Sequence, residues 1–333
     1  MTKKVYFIGE HAHIIGDSPD AARGVAGESE RLATDPSNIM LLCYDCHKRV
    51  DHKGKANPYS ADHLRAMKRE HESRIEKIYS ATGAKESLPV LMAFPVGSHV
   101  PIIDIAQIRH ALVENSQYTR FPGDQYIHID RADFDFQDSS DDFWPQAEAS
   151  LRKYYDTRIH PEIVKSGALP HLTIAGFAPI PMLMKLGALI GDKTEASVLD
   201  LPGERWLWDM RADCPAPQFT FKVPENLPRE VAAVINISGT AIHPAGIQVV
   251  EFRAIAPNRG IIRQDQHLQD FRRQFNAFLG ELVRAGVKVL HLHPATPLSA
   301  SIEIGRSLLP KVLEEVHVWD WQAPTWRPTL RLK

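Results

Sequence analysis

The chain has 333 residues, of which 44% are hydrophobic and 24% are charged, and its formal net charge is −2 at pH 7. These values are close to those of average globular proteins, so they exclude a mostly disordered or collagen-like chain. The length exceeds the roughly 100–200 residues of one typical domain and predicts two domains or one large one. Three cysteines are too few for a disulfide framework, and the bulk charge does not favour nucleic acid.

The first residues, MTKKVYFIGEHAH, lack the apolar stretch of a secretory signal. No apolar run reaches the roughly 18 residues that are needed to span a bilayer. The sequence therefore predicts a cytoplasmic protein without membrane association. In a reducing compartment, the Cys-x-x-Cys pair Cys43 and Cys46 favours a metal site or inert thiols over a disulfide.

Two polar motifs near the N-terminus contain residue types suited to phosphodiester hydrolysis. The first is GEHAHIIG at residues 9–16, and the second is DPSNIMLLCYDCHKRVDH at residues 35–52. Cleavage needs an activated water, a cation on the phosphate oxygens and a group that holds the reacting parts in register. His13 is the candidate general base, because imidazole accepts a proton near neutral pH. Asn38 precedes an apolar strand, where its amide could hold a backbone carbonyl or the loop that positions His13.

Candidate metal ligands lie in the same two motifs. His47 and Asp51 are four residues apart, so on a helix both side chains point from one face towards a divalent cation. His11 shares a strand face with the candidate base and is a further candidate ligand. Cys43 and Cys46 have two interpretations, a structural zinc site or small hydrophobic side chains packed at a helix start.

His13, Asn38 and His47 in this order, with LLC-x-x-CH before the last histidine, resemble the HNH endonucleases, the ββα-metal nucleases. The resemblance covers about the first 55 residues. It implies a small ββα domain, catalytic roles for these three residues, Mg²⁺ or Mn²⁺ on His47 and Asp51, and double-stranded DNA as substrate. Ala12 stands where the family often has a metal ligand, and one of the family's two Cys-x-x-Cys pairs is missing.

Residues 61–79 are predicted to form a helix with Ser60 as its N-cap, because apolar side chains recur near a 3.6-residue period. The stretch 47–79 has nine Lys and Arg against five Asp and Glu, so its charge is locally positive. A basic helix is either a solvated face or a surface that contacts phosphates. Gly and Pro in the next stretch predict a linker at 81–88, between a domain at 1–80 and a second domain at 89–333.

The second domain is predicted to be α/β. Short apolar runs alternate with helical patterns, notably the helix Gln266–Ala285. Two segments, HLTIAGFAPIPMLMKLGALIGDKTEASVLDL and VLHLHPATPLSASIEIGRSLLPKVLEEVHVWD, share the order strand, proline turn, helix and strand. The turn proline and the helix glycine keep the same spacing in both copies: Pro179 and Gly187, Pro297 and Gly305. The repeat predicts two similar halves, at about 89–225 and 226–333.

The turns after the strands are candidate ligand sites, because ligands of open α/β sheets bind where turns present backbone N–H groups. The sequence contains no phosphate loop, nucleophile elbow or dinucleotide fingerprint. The candidate ligand-binding residues are Ser238, Gly239, Thr240, Pro297, Ser299 and Ser301 in the turns, with Tyr155, Trp208 and Trp326 as candidate base-stacking rings. Core packing is the alternative role for the tryptophans, and we favour it for Trp319.

The two repeated segments, with RWLWD after the first and HVWDW at the end of the second, resemble the SAVED domain. SAVED is a pair of fused CARF-like, Rossmann-type halves that binds cyclic oligonucleotides made by bacterial antiviral nucleotidyltransferases. The resemblance covers roughly Pro89 to the C-terminus, and residues 104–165 match loosely. HNH followed by SAVED is similar to the effector nucleases of CBASS anti-phage systems, which implies DNA degradation on binding a cyclic dinucleotide made by a partner nucleotidyltransferase.

The short linker at 81–88 cannot carry a large independent movement of the nuclease domain. We therefore expect activation by assembly, from a dimer without ligand to a larger species, such as a tetramer, with it. The alternative function is a ligand-responsive DNA-binding regulator without nuclease activity. His13 beside candidate metal ligands favours the nuclease, because a protein that only binds DNA does not need a general base.

Overall fold

The computed structural model describes residues 9–52, 57–80, 85–99, 103–115, 117–118, 126–130, 138–140, 142–165, 171–201, 206, 208, 214–308 and 313–333. The chain separates into two units, Met1–Thr82 and Gly83–Lys333. Within the described ranges, no helix is long and apolar enough to cross a membrane.

The N-terminal unit is built on two antiparallel strands followed by helices. Its elements are β1 (Gly9–His13), α1 (Glu28–Leu32), β2 (Ile39–Cys43), α2 (Tyr44–Val50) and α3 (Ala61–Ser80). β1 and β2 pair with Gly9 opposite Cys43 and His13 opposite Ile39. A small core holds the unit together, with Ala12, Ile14, Val50 and Leu64 buried at its centre. The Ser60 hydroxyl accepts a hydrogen bond from the backbone N–H of His63 at 3.2 Å, which is the N-cap contact that the sequence predicts for α3.

The first half of the C-terminal unit is a parallel sheet with helices between its strands. Its elements are β3 (Lys85–Ala93), α4 (Ile105–Glu114), β4 (Gln117–Tyr118), β5 (Ile127–Asp130), α5 (Phe143–Tyr154), α6 (His160–Lys165), β6 (His171–Phe177), α7 (Ile180–Ile190) and β7 (Ala196–Val198). The strand order is β4-β3-β6-β7, and β5 also pairs with β3. A π-helical turn at Tyr155–Ile159 joins α5 to α6.

The predicted linker is wrong at its C-terminal end, because β3 begins at Lys85, inside the stretch 81–88. Ser87 lies opposite His171 and Leu88 opposite Leu172 in the pairing of β3 with β6. This stretch lacks a clear strand pattern of its own and becomes a strand because β6 offers it a hydrogen-bonding partner.

The second half contains β8 (Phe219–Phe221), β9 (Glu230–Asn236), β10 (Val249–Ala254), α8 (Asp265–Arg284), β11 (Val289–Ala295), α9 (Leu298–Arg306), β12 (Glu315–Gln322) and β13 (Thr325–Arg331). The sheet order is β13-β12-β11-β9-β10-β8, parallel in the centre and antiparallel at both edges. β8 pairs with β10, so the second half begins before Phe219 rather than at residue 226. Sequence reasoning missed β13, which contains Pro328 and is an edge strand, where proline is tolerated.

The two halves meet where α7 crosses α9. A Cβ atom added to Gly187 would collide with the backbone oxygen of Ile302, and one added to Gly305 would collide with that of Met184. Each contacted residue stands three positions before the glycine of its own helix, so the crossing is symmetric. The equivalent positions of the predicted repeat therefore pack against each other, and glycine is required because the two backbones touch.

A closed ring of hydrogen-bonded side chains crosses the first sheet. Ser87 Oγ lies 2.7 Å from Thr173 Oγ1, which donates to Gln117 Oε1 at 2.8 Å. Gln117 Nε2 donates to Ser197 Oγ at 2.8 Å. His171 closes the ring, with Nε2 at 3.2 Å from Ser197 Oγ and Nδ1 at 2.8 Å from Ser87 Oγ. Burial, with a smaller effect of the nearby Lys85 charge, lowers the pKa of His171 to about 4.

The free energy of unfolding is expected to fall as the pH drops from about 6.5 to about 4. Burial also lowers the pKa of His293 to about 4, so both His171 and His293 are neutral in the folded protein. In the unfolded chain an imidazole takes up its proton near pH 6.5, so unfolding binds protons in this window and acid favours it. The full effect is about 3 kcal/mol per histidine. Urea unfolding at a series of pH values measures it.

Two variants isolate the contribution of His171 from that of the carboxyl groups, which also titrate in this range. His171→Gln should flatten the dependence of unfolding free energy on pH, because glutamine has no titrating proton. His63→Gln, at an exposed position of α3, should leave the slope of the parent unchanged. Equal slopes for His171→Gln and the parent would contradict the prediction.

Candidate functional site

His13 ends β1 and is half-buried. Its Nε2 lies 2.9 Å from the backbone oxygen of Ala33. A carbonyl oxygen only accepts, so Nε2 carries the proton, and the lone pair of the neutral ring is on Nδ1. Within the described residues, no side chain or backbone group bonds to Nδ1. The ring is therefore held in the tautomer that accepts a proton from water.

Asn38 is buried beside this strand and uses both ends of its amide. Nδ2 donates to the backbone oxygens of Ile15, at 2.8 Å, and Leu32, at 3.2 Å. Oδ1 accepts from the backbone N–H of Ile15 at 2.8 Å. The side chain thus connects the segment after His13 to the end of the helix that precedes Ala33.

Asn38→Ala is expected to destabilise the N-terminal unit by about 2–3 kcal/mol, because it leaves the buried N–H and the buried carbonyl group of Ile15 without partners. Hydrogen exchange of the amides in β1 and β2 measures the change, since loss of stability speeds their exchange. Ser37→Ala is the matched control, because Ser37 is exposed one residue away. The same exchange rates in both variants would exclude the bracing role of the Asn38 amide.

His47 lies on α2 between two carboxylates. Its Nδ1 is 2.8 Å from Glu10 Oε2, and its Nε2 is 3.0 Å from Asp51 Oδ2. Carboxylates only accept, so both contacts are hydrogen bonds when the ring carries both protons. Sequence reasoning missed Glu10. The sequence feature that could have identified Glu10 is the alternation of side chains along a strand, which places it on the same face of β1 as the buried Ala12.

Arg23 connects the end of β1 to the end of α2. Nη2 donates to Asp51 Oδ1 at 2.8 Å and to the backbone oxygen of His13 at 3.1 Å. Nε donates to the oxygen of Ile14 at 2.7 Å, and Nη1 donates to that of Val50. Arg23 has a positive φ of 59°, which is uncommon for a residue other than glycine. Sequence reasoning assigned no role to Arg23.

The predicted cation site is not formed by the residues that the structure describes. Among them, no three His, Cys, Asp or Glu side chains lie together as a group that could hold a metal ion. The predicted ligands His47 and Asp51 contact each other, and the second oxygen of Asp51 is bound by Arg23. His11 lies on the face of β1 opposite Glu10. These residues therefore do not fit a Mg²⁺ or Mn²⁺ ion as arranged.

Cys43 and Cys46 lie at the start of α2, and both are exposed. Hydrogen bonds from the backbone N–H and then the thiol of Cys46 lower the pKa of the Cys43 thiol, and the same thiol contact raises the pKa of Cys46. The alternative of small hydrophobic side chains is wrong, because both thiols face solvent. The described residues also provide no further ligands to complete a zinc site.

The turn from Pro297 to Ser301 does not present its serines to a ligand. Ser299 is fully buried and donates to Asp200, a buried carboxyl group whose pKa is raised by burial. Ser301 is also fully buried, and its Oγ donates to the Pro297 backbone oxygen at 2.8 Å. The phosphate-binding role predicted for these serines is therefore not available in this structure, because both hydroxyls bond inside the protein.

The other predicted ligand-binding residues are dispersed. Ser238 and Gly239 are half-exposed and Thr240 is exposed after β9, but the Ser238 N–H already donates to the Ala295 oxygen at 2.9 Å. Trp208 belongs to the core, which contradicts a base-stacking role. Tyr155 is half-buried in the π-helical turn, with its ring 5.8 Å from that of His160. Trp326 lines a cavity on the second sheet, together with Trp319, for which core packing was expected.

Comparison with known proteins identifies part of the C-terminal unit. The family model "SMODS-associated and fused to various effectors sensor domain", SAVED, matches residues 151–332. Among curated proteins, none matches the chain.

Two solved structures similar to this chain are Cap4 SAVED/CARF-domain containing receptors. The Acinetobacter baumannii receptor, solved with the cyclic trinucleotide 3'3'3'-cAAA, is 13% identical, with a TM-score of 0.45 over 74% of this chain and 52% of that one. The Moraxella osloensis receptor is 14% identical, with a TM-score of 0.48 over 82% of this chain and 60% of that one. The chain thus spans less than two thirds of either receptor. Because the family model covers more than half of its residues, this chain belongs to the SAVED family of sensor domains.

Proposed function

We propose that this chain is a nucleotide-activated effector of bacterial antiviral defence, in which the SAVED unit binds a cyclic oligonucleotide and the N-terminal unit hydrolyses DNA. The observation that carries the nuclease part is the contact of His13 Nε2 with the Ala33 oxygen, which leaves Nδ1 as the proton acceptor. His13, Asn38 and His47 also follow the order of the HNH nucleases within a strand–strand–helix unit.

His13 is proposed to remove a proton from a water molecule through Nδ1. The resulting hydroxide attacks the phosphorus of a phosphodiester, and the bond to the leaving sugar oxygen breaks as that oxygen gains a proton from solvent. The Ala33 carbonyl oxygen holds the imidazole during the transfer. Asn38 holds the two backbone segments nearby, through the carbonyl oxygens of Ile15 and Leu32. Arg23 orients Asp51, which contacts His47.

The sensor part of the proposal follows from the family, whose members are described as sensor domains fused to effectors. The proposed activator is a cyclic oligonucleotide made by a partner nucleotidyltransferase. The resemblance to CBASS effector nucleases implies a cyclic dinucleotide, whereas the A. baumannii Cap4 receptor was solved with a cyclic trinucleotide. Both classes therefore belong in the test.

Plasmid cleavage tests the proposed function. The full chain is incubated with supercoiled plasmid and synthetic cyclic di- and trinucleotides, in buffers with Mg²⁺, with Mn²⁺ and with neither. We expect fragmentation with one of the cyclic nucleotides and intact plasmid without it. A shift of intact plasmid in a gel would instead identify the DNA-binding regulator, and no effect in any condition would overturn the proposal.

Activation is proposed to occur by assembly of neighbouring chains. A ligand that binds the assembled state more tightly shifts the equilibrium towards it. Light scattering should show a dimer without ligand and a larger species, such as a tetramer, with the activating nucleotide. An unchanged mass at full cleavage activity would exclude assembly as the switch.

A further inference from the structure

A cavity of about 510 Å³ lies on the outer side of the second sheet, next to the connection from β9 to β10. This connection, residues 237–248, contains no helix, so no helix of its own covers this part of the sheet. The cavity is lined by aromatic and apolar side chains, among them His293, Trp319, Trp321, Trp326, Ile242 and Pro244. Its volume is in the range of roughly 300–1,000 Å³ that is typical of small-molecule sites.

His293 is a buried polar residue in the lining of this cavity. It is 2% exposed, and its ring stacks on Trp319 at 5.4 Å and meets Trp326 edge-on at 4.7 Å. Its Nδ1 is buried without a hydrogen-bond partner among the described residues. Burial and the neighbouring His291 lower the pKa of His293 to about 4, so the ring is neutral at pH 7 and offers one donor and one acceptor. A buried polar atom without a partner is rare.

The surrounding rings are held by contacts of their own. Trp319 Nε1 donates to His291 Nδ1 at 3.0 Å, so His291 Nε2 carries the proton that Glu230 accepts at 2.7 Å. Trp326 Nε1 donates to the backbone oxygen of Ile242 at 2.7 Å. The N–H groups of both tryptophans are therefore satisfied, so a ligand would meet these residues through their rings rather than their N–H groups.

The charge of the lining selects an uncharged ligand group. Among the residues that the structure describes, the lining includes no lysine or arginine, so none of them provides a side-chain cation to bind a phosphate. Glu230 is the carboxylate of the lining, and it is already bonded to His291, which disfavours an organic cation. A flat, neutral ring with hydrogen-bonding edges fits both the aromatic walls and the free capacity of His293.

We infer that this cavity holds one nucleobase of the activating nucleotide, stacked on Trp326, in edge contact with Trp321 and hydrogen-bonded at its own edge to His293. The inference rests on the proposed function, because it takes the ligand to be a cyclic oligonucleotide. The sugar and the phosphates lie outside the cavity, where the lining does not have to neutralise them.

Nucleosides test the pocket without requiring a functional activator. Saturation-transfer difference NMR of the full chain with adenosine, guanosine, cytidine and uridine should transfer signal to the base protons of at least one nucleoside. Ribose 5-phosphate should give no signal, because it has no base. Transfer from ribose 5-phosphate with none from any nucleoside would overturn the inference.

Variants locate the binding. Trp326→Ala and Trp321→Ala change partly exposed side chains of β12 and β13, so the fold should be retained. Each should weaken nucleoside binding about tenfold, the order expected for one lost base–aromatic contact. Tyr44→Ala, an exposed aromatic residue of the N-terminal unit, is the matched control and should bind like the parent. Parent affinity in both tryptophan variants would exclude this cavity.

The two proposals fail in different ways. If Trp326→Ala is activated by the same cyclic nucleotide at the parent concentration, the cavity is not part of the activator site, although the proposed function stands. If nucleosides bind but no cyclic nucleotide triggers cleavage, the base pocket stands and the proposed function fails. Binding of single-stranded DNA that is lost in Trp326→Ala, without any binding of cyclic nucleotides, would assign the pocket to a nucleic acid instead.

Discussion

Gly305→Ala and Gly187→Ala are each expected to lower the free energy of unfolding of the C-terminal unit by about 3 kcal/mol or more. The added methyl group would overlap a backbone oxygen of the opposite helix, that of Met184 or Ile302. A backbone atom cannot rotate away as the end of a side chain can, so α7 and α9 must separate. Separation opens the core that both halves share. Urea unfolding followed by tryptophan fluorescence measures the loss.

Gly280→Ala is the matched control for these substitutions. Gly280 lies inside α8, where an added Cβ would meet no atom within 4 Å. Alanine is the better helix former, so this variant should be more stable than the parent by about 0.5–1 kcal/mol. If Gly305→Ala behaves like Gly280→Ala, the close approach of the two helices is not required for the fold.

His13→Ala is expected to reduce plasmid cleavage by about 10²–10⁴-fold, the usual contribution of a general base. Binding of the cyclic nucleotide should be unchanged, because the substitution lies in the N-terminal unit. Cleavage rates at saturating activator, together with calorimetric titration of the activator, measure the two effects separately.

His13→Gln separates the chemical role of His13 from a structural one. The glutamine amide can still donate to the Ala33 oxygen, but it cannot accept a proton from water near neutral pH. It should therefore be as inactive as His13→Ala while keeping the stability of the parent. His63→Ala, at an exposed histidine of α3, should cleave at the parent rate. Parent activity in His13→Gln would remove His13 from the proposed mechanism.

The regular elements followed the local pattern closely. The predicted helix 61–79 is α3, which ends one residue later, and the predicted Gln266–Ala285 is α8 shifted by one residue. The start of α3 is set by a side chain close in sequence, the Ser60 cap. The short strands β4, β5 and β8 were missed, because such strands depend on a partner supplied by another part of the chain.

In the candidate nuclease site too, some features can be read from the sequence and others depend on contacts between distant residues. The order of His13, Asn38 and His47 can be read along the chain and carries the resemblance to the HNH nucleases. The contacts of Glu10 and Arg23 could not be read along the chain, because they are made with His47, 37 residues away, and Asp51, 28 residues away. Those contacts also show that the predicted metal ligands bind protein groups.

The amino-acid sequence was sufficient to predict the α/β class of the second domain, its internal repeat and its membership of the SAVED family, and the family model confirms that membership. These properties depend on periodicity and on spacings that a single chain displays. The three-dimensional fold was needed to show that the repeated glycines meet at one helix crossing and that Ser299 and Ser301 are buried. It was also needed to show that His293 lies among tryptophans with its Nδ1 unpaired within the described part of the chain. Burial and hydrogen bonding depend on which distant segments the topology brings together, and no local pattern contains that information.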